Sequence, residues 1–328
     1  LAWSSGVYPV SGKECKWVTF YKNNYKLCVH MGKDTVSNEI EKTGKWRDCD
    51  ILSTLWKSEK GNGEYVEIGA NIGACMMEMI SNTDAKITVF EPNPSNLFCL
   101  TSTKEGLPID VRSRITVYPF ALGENIGSSV LYSSTVNKGN SVVGKKVSGG
   151  SKEVFDEYHI KVRRYDGVIP HKKVKLMKMD AQGYECSIVI GMGSYIPNVI
   201  KTEIANKWLS AHDNCSDKRL FELLHANHMI VYSEDNKILP HPKPTSGSEH
   251  YDIIARFDLS IRSLETIKTS EIKKLVDYKK WRNSIFQTRT SVPECKRPKI
   301  LPDTSTSKMI CMDNICLLYT SDAADDSL

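Results

Sequence analysis

The stretch Tyr65-Val-Glu67-Ile-Gly69-Ala-Asn71-Ile-Gly73 decides the fold. A short apolar run ends in a turn with two glycines. Ala74-Cys-Met-Met-Glu-Met-Ile80 then follows with helical composition. Glycine at a strand-to-helix turn lets the backbone approach a ligand with no Cβ in the way. A side chain at Gly69 is therefore expected to intrude on that ligand. The opening turn of the helix adds unpaired N–H groups facing the same point. In a dinucleotide-binding turn, three glycines serve a pyrophosphate. Here the order is Gly69-x-Asn71-x-Gly73, and Glu67 places a carboxylate in the strand end. A negative charge there repels a pyrophosphate and suits a cationic sulfonium or an ammonium group, which favours S-adenosylmethionine over NAD.

Outward from this turn, strands and helices alternate. Lys86-Ile-Thr-Val-Phe90 and Ile115-Thr-Val-Tyr118 read as strands, with a helix from Pro94 to Thr103 between them. Val174-Lys-Leu-Met-Lys-Met179 and Asn198-Val-Ile-Lys-Thr-Glu-Ile204 are further strands, followed by helices at 184–192 and 217–228. Met229-Ile-Val-Tyr232 and 251–257 are expected to close the sheet as an antiparallel edge. Such alternation implies an α/β fold: a mostly parallel, seven-stranded sheet with helices on both faces. The Gly- and Ser-rich segment 122–160 breaks the rhythm, and Val130-Leu-Tyr132 marks a strand within it. It reads as an antiparallel excursion beside the mouth of the site. Upstream, 17–21 and 25–29 form a β-hairpin around Lys22-Asn-Asn24, and a helical stretch from 37 to 60 is interrupted near Gly44.

Two more acids complete a constellation. Glu91 ends the second strand about 20 residues past the Gly turn, where an acid can bind both ribose hydroxyls. Asp180 ends a later strand. Residues 64–73, Val89-Phe-Glu-Pro-Asn-Pro94 and Leu176-Met-Lys-Met-Asp-Ala-Gln-Gly-Tyr-Glu185 together resemble the FkbM-type methyltransferases. That family's pattern runs D-x-G-A-N-x-G, then F-E-P-x-P, then K-I-D-x-E-G-x-E. Tyr118-Pro-Phe-Ala121, Gly139-Asn-Ser141 and Val162-Arg-Arg-Tyr-Asp166 are similar to intervening blocks, so the resemblance covers residues 44–257. It implies a Rossmann-like class I methyltransferase fold, S-adenosyl-L-methionine as donor, and O-methylation of sugars or natural-product hydroxyls. Two positions depart from the pattern. Glu67 replaces Asp, and Gln182 stands where the family has Glu, so an acid role there is absent.

The cofactor-binding candidates are thus Glu67, Gly69, Asn71, Gly73, Glu91 and Asp180. Methyl transfer needs proximity and alignment more than a metal, while a hydroxyl acceptor calls for a base near the methyl group. Asp180 is the first candidate base, with Glu203 and His250 behind it. No metal site is expected: His225 and His228 are spaced as a pair, but no third ligand is evident. No Asn-Pro-Pro-aromatic run follows the Asp180 strand, which argues against amide or base N-methylation. The alternatives are an NAD-dependent oxidoreductase on the same fold and a non-catalytic methyltransferase-like binding protein.

The 328 residues are 40% hydrophobic and 25% charged, with a net charge of +5. That is ordinary for a globular chain, and no Lys/Arg stripe interleaved with aromatics points to nucleic acid. No apolar run is long enough to span a bilayer. The expected partner is a hydroxyl-bearing small molecule or glycan, and the sequence sets no oligomeric state. Of ten cysteines, Cys75, Cys99 and Cys186 fall in expected core helices and read as free apolar thiols. Cys15, Cys28, Cys49, Cys215, Cys295 and Cys311 lie in flanks or loops, where they are available for disulfides. With the sequon Asn214-Cys215-Ser216, they favour the secretory pathway or Golgi over the cytoplasm. The expected organisation is a hairpin and helical flank over 1–60 and a methyltransferase domain over 61–260. A charged helix near 270–286 and an irregular tail occupy 261–315. Residues 316–328 resemble a translated sequencing adaptor and are expected to be read-through.

Overall fold

The computed structural model describes residues 1–147, 154–169, 173–243 and 250–258 in full, and 307–312 and 315–320 by backbone alone. The chain opens on the expected hairpin, β1 (Lys16–Thr19) and β2 (Lys26–Val29), paired antiparallel, with Asn24 left-handed at φ 59° in the turn. Helix α1 (Thr35–Thr43) follows. Its N-cap Asp34 accepts from the Ser37 N–H, and Gly44 ends it at φ 76°. A Cβ at Gly44 would lie 3.1 Å from the Tyr21 Cβ, so the break in the helical stretch is fixed by the hairpin beneath it. A 3-10 turn (Arg47–Cys49) leads into α2 (Asp50–Ser58).

The alternation then unfolds as β3 (Glu64–Ile68), α3 (Ala74–Asn82), β4 (Ile87–Phe90), α4 (Pro94–Glu105), the short α5 (Ile109–Arg112) and β5 (Ile115–Tyr118). Pro94 sits in the first turn of α4, and the Asn93 side chain caps it. That pairing suits proline's fixed φ and missing N–H. Four strands make up the Gly-rich excursion: β6 (Ala121–Leu122), β7 (Gly127–Ser134), β8 (Ser141–Val143) and β9 (Phe155–Arg163), in the order β6-β9-β7-β8. Strand β9 is not evident from its polar, alternating sequence. It forms through eight consecutive pairings with β7, a partner more than twenty residues upstream. The chain continues through α6 (Tyr165–Val168), β10 (Val174–Met179), α7 (Glu185–Gly191), β11 (Val199–Ala205), α8 (Asn206–Leu209), α9 (Asp217–Ala226), β12 (Met229–Ser233) and β13 (His250–Phe257).

The large sheet has seven strands in the order β12-β13-β11-β10-β3-β4-β5. It is mixed. The run from β11 to β5 pairs in parallel, while β13 pairs antiparallel with both β11 and β12. A strand that returns directly beside its predecessor has to run antiparallel. Central strands are buried along their whole length, as Ile87–Phe90 and Val174–Met179 show, which is what helices on both faces require. One apolar cluster joins Met76, Met79, Leu97 and Leu100 to Val29, Ile40, Leu52 and Trp56 of the N-terminal flank. A second gathers Ile188, Val189, Phe221 and Leu224, and a third joins Leu131, Val143 and Ile160 within the excursion.

Three disulfides link Cys15 to Cys28, Cys49 to Cys75 and Cys186 to Cys215. This corrects the reading of Cys75 and Cys186 as free thiols; of that trio only the buried Cys99 is free. Their helices are core helices, but each meets a flanking segment there: Cys49 lies 4.9 Å from Cys75 between Cα atoms, and Cys215 lies 5.8 Å from Cys186.

Residues 283–328 form a unit of their own, with β14 (Ser307–Met312) paired antiparallel to β15 (Ile315–Thr320). The segment expected to be read-through begins inside β15, and the helix expected near 270–286 lies outside the described residues. Among the described residues no helix is long and apolar enough to cross a membrane.

Non-reducing peptide mapping should recover linked peptides for Cys49–Cys75 and Cys186–Cys215. Replacing Cys186 and Cys215 together by alanine should lower unfolding stability in urea by about 2–4 kcal/mol.

Candidate active site

Strands β3 and β10 are neighbours at the centre of the sheet, and the chain leaves them towards opposite edges. Open α/β sheets bind ligands at such a switch point, beyond the carboxyl ends of the strands. A cavity of about 550 Å³ lies there, lined by Glu67, Gly69, Asn71, Glu91, Asp180 and Glu203 among others.

Gly69 has φ 78°, and a Cβ on it would fall 1.8 Å from the Asp180 carbonyl oxygen. Within the chain itself the obstacle is therefore the neighbouring strand end. The turn is tied down from the other side, because the Gly69 and Ala70 N–H groups both donate to the Phe90 carbonyl, at 2.9 and 3.1 Å. Asn71 is left-handed at φ 51°, and its N–H donates to Glu91 Oε2 at 2.7 Å. Gly73, at φ 87°, is the N-cap of α3 and packs against Met76 and Leu100. Its role in the structure is helix entry, and it does not line the cavity.

Glu91 is buried and accepts on both oxygens. Oε2 takes the Asn71 N–H, and Oε1 takes the Asn93 N–H at 2.8 Å and the Asn96 amide at 3.4 Å. Burial nevertheless raises its pKa to about 7, with those hydrogen bonds opposing. Glu67 is 1% exposed and is likewise raised to about 7 by burial, with the Lys178 ammonium opposing. Three acceptor atoms at the cavity wall are buried without a hydrogen-bond partner: Glu67 Oε2, Asn71 Oδ1 and Asn137 Oδ1. Buried polar atoms demand partners. A ligand rich in donors, such as an ammonium, ribose hydroxyls and an adenine amino group, supplies them; a pyrophosphate, which only accepts, does not. The residues present fit S-adenosylmethionine.

At the other end of the cavity, Asp180 extends β10. Its Oδ2 lies 3.1 Å from Lys178 Nζ, and its Oδ1 accepts from the Gln182 amide at 2.8 Å. Burial pushes its pKa up, and the Lys178 ammonium outweighs that and holds it below the ordinary value. Asp180 does not cap α7, whose N-cap is Tyr184. Glu203, on β11, faces the same space with His250 Nε2 at 3.8 Å from Oε1. Burial and the nearby Asp180, Asp252 and Asp48 carboxylates raise Glu203 to about 8. The two acids and one histidine singled out at this end are thus brought together, and the two acids differ sharply in basicity.

Sequence reasoning missed two lysines and one wall. Lys178 and Lys201 are buried side by side in the β10–β11 register, and Lys178 also pairs across with Glu67. Lys201 is bound to Asp252 at 2.8 Å. The available signal was a cation inside each of two otherwise apolar strands. The wall comes from the flank: Trp46, Arg47 and Asp48 line the cavity, and Asn137, Gly139 and Ser141 of the excursion line it too. Among the described residues no group of three or more His, Cys, Asp or Glu side chains is arranged to hold a metal.

Comparison with known proteins bears on the same residues. Residues 67–215 match the model of the methyltransferase FkbM domain. Over those residues the chain is similar to the FkbM methyltransferase domain. No curated protein matches. Among solved structures, the precorrin-6y C5,15-methyltransferase of Geobacter metallireducens GS-15 is 11% identical, covering 64% of this chain and 87% of its own, with a TM-score of 0.35. The glycopeptide N-methyltransferase MtfA bound to S-adenosyl-L-homocysteine is 8% identical over 70% of this chain and 90% of its own, with a TM-score of 0.35. The N-terminal domain of EvdMO1, solved in the presence of the same product and D-fucose, is 8% identical over 64% and 82%, with a TM-score of 0.37. The FkbM domain and the donor-hungry cavity together set the NAD reading aside in favour of an S-adenosylmethionine-dependent methyltransferase.

Gly69→Ala should destabilise the fold itself, on the order of 3 kcal/mol in urea unfolding, because the new Cβ overlaps a backbone oxygen. A ligand that donates to Glu67 and Glu91 binds their ionised forms, whose pKa values stand near 7 in the free protein. Calorimetric affinity for S-adenosylhomocysteine should therefore rise about tenfold per carboxylate, roughly a hundredfold in all, from pH 6 to pH 8, with protons released on binding near neutrality.

Proposed function

We propose that this FkbM-domain protein methylates a hydroxyl of a small-molecule or glycan acceptor. The observation that carries the reading is the division of labour between Asp180 and Glu203. A base has to accept the hydroxyl proton as the oxygen attacks, and general bases work best with a pKa near the working pH. Glu203, raised to about 8, meets that requirement, whereas Asp180 is neutralised by Lys178 and Gln182. Asp180 then orients the acceptor or the donor, and His250 stands beside Glu203 to pass the proton outward.

S-adenosylmethionine, when bound, supplies an electrophilic methyl group on a sulfonium. On this reading Glu91 accepts from the ribose hydroxyls, and Glu67 and Asn71 accept from the donor groups left unmatched in the free protein. Trp46 and Trp208 line the acceptor end and shield the reaction from water. The sequence Asp180-Ala-Gln-Gly183, which lacks an Asn-Pro-Pro-aromatic run, supports oxygen over nitrogen as the acceptor atom. Three disulfides support a setting in the secretory pathway. The boundaries that fit this scheme are a flank over 1–60 that completes the site and a catalytic domain over 61–260.

Protein incubated with methyl-labelled donor and a panel of glycosides, glycans and amines should place the label on hydroxyls, as read by mass spectrometry. Label confined to amines would sink the hydroxyl reading. With a hydroxyl acceptor in hand, turnover should climb with pH towards a plateau above about 8. Glu203→Gln should lower kcat by roughly 10²-fold or more and abolish that rise, while Asp180→Asn should keep the rise.

A further inference from the structure

The N-terminal flank reaches the cavity a second time, through a buried chain of side chains that ends on Glu91. His30 follows β2, is 4% exposed, and lies outside residues 67–215. Its Nε2 is 2.8 Å from Asn96 Oδ1, its Nδ1 is 3.5 Å from Cys99 Sγ, and its backbone N–H donates to Ser37 Oγ at 3.1 Å. Asn96, on α4, lines the cavity and donates its amide to Glu91 Oε1.

The direction of every bond in this chain follows from Glu91. Both of its oxygens already accept backbone N–H groups, from Asn71 and Asn93. With Glu91 ionised, Asn96 turns its NH₂ towards Glu91 and its carbonyl oxygen towards His30. An oxygen facing Nε2 requires Nε2 to carry the proton. Nδ1 is then bare and accepts from the Cys99 thiol. Burial pushes that thiol up to about 12, so it keeps its proton, and burial holds His30 below the ordinary histidine value, so the ring stays neutral. Lys13 and Lys138 reinforce the neutral ring, while Asp34 opposes them.

We propose that His30 is a positioning residue for the Glu91 carboxylate, acting through Asn96 to hold Oε1 in the direction from which a ribose hydroxyl is bound. The proposal rests on the ribose role given to Glu91 above. The same flank segment also steadies the opposite wall of the cavity. Asp34 caps α1 through one oxygen, and its other oxygen accepts from the Lys138 N–H at 3.0 Å, next to cavity-lining Asn137 and Gly139. The hairpin is therefore more than a packing element: it sets the geometry of a carboxylate that belongs to another part of the chain.

The test compares adenosine with 2′,3′-dideoxyadenosine, which lacks both hydroxyls. Wild-type protein should prefer adenosine in calorimetry. His30→Leu should shrink that preference by about fivefold, and His30→Gln, whose amide can still donate to Asn96, should keep it within about twofold of wild type. A folded His30→Leu that weakens both nucleosides equally, or neither, would overturn the proposal, since a purely structural role predicts equal losses. Independently of any variant, long-range nitrogen–proton spectra of the wild-type imidazole should show the proton on Nε2, and a proton on Nδ1 would also overturn it. Wild-type protein that binds the two nucleosides alike would instead remove the ribose role of Glu91, a result distinguishable from failure of His30 alone.

Discussion

Glu67, Glu91, Asp180 and Glu203 stand at the carboxyl ends of four neighbouring strands, the first two buried and the last two half-buried. Burying a carboxylate is costly unless it is paired or protonated. Two buried lysines make the arrangement possible. Lys178 sits between Glu67 and Asp180, and Lys201 sits between Lys178 and Asp252. The compensation is incomplete, and three of the four acids are left with pKa values near 7 or 8. Only Asp180, in direct contact with an ammonium, is held below its ordinary value. The site is thus poised for a cationic, donor-rich ligand, which completes the balance that the protein leaves open.

The tightest geometric demand in the site is the approach of Gly69 to the Asp180 carbonyl. It brings the turn after β3 against the end of β10, and so fixes the spacing of Glu67 and Asp180 across the cavity. A second close approach has the same character: a Cβ on Gly183 would lie 2.3 Å from the Trp208 carbonyl oxygen. That contact sets the loop after β10 against α8 and places Trp208 on the cavity wall. Backbone against backbone is the stiffest contact a protein can make, and both of these lie within a few residues of the candidate base or orienter.

Much of this was legible in the sequence, and the reasons are physical. Short apolar runs punctuated by glycine and proline located β3 to β5 and β10 to β13 to within a residue or two, because propensity and burial agree along those strands. The Glu67, Glu91 and Asp180 set was legible because each acid ends a strand. The rest depended on contacts distant in sequence. Strand β9 is polar on its exposed face and is defined by its pairing with β7. Cys75 and Cys186 look like core thiols until their flanking partners are placed. Lys178 and Lys201 gain their meaning only when β10 and β11 are set side by side, which brings the two cations into register beside Glu67 and Asp252.

The bond between Cys49 and Cys75 has a further consequence for where this protein begins and ends as a working unit. Cys75 lies inside the matched FkbM region and lines the cavity, while Cys49 lies outside it, one residue beyond cavity-lining Asp48. A chain trimmed to the family boundary would leave Cys75 as an unpaired thiol in the cavity wall and would lose the wall that Trp46, Arg47 and Asp48 supply. The crosslink therefore binds residues inside and outside the matched region into one covalent ring around the cavity, so the working unit is longer than the family boundary.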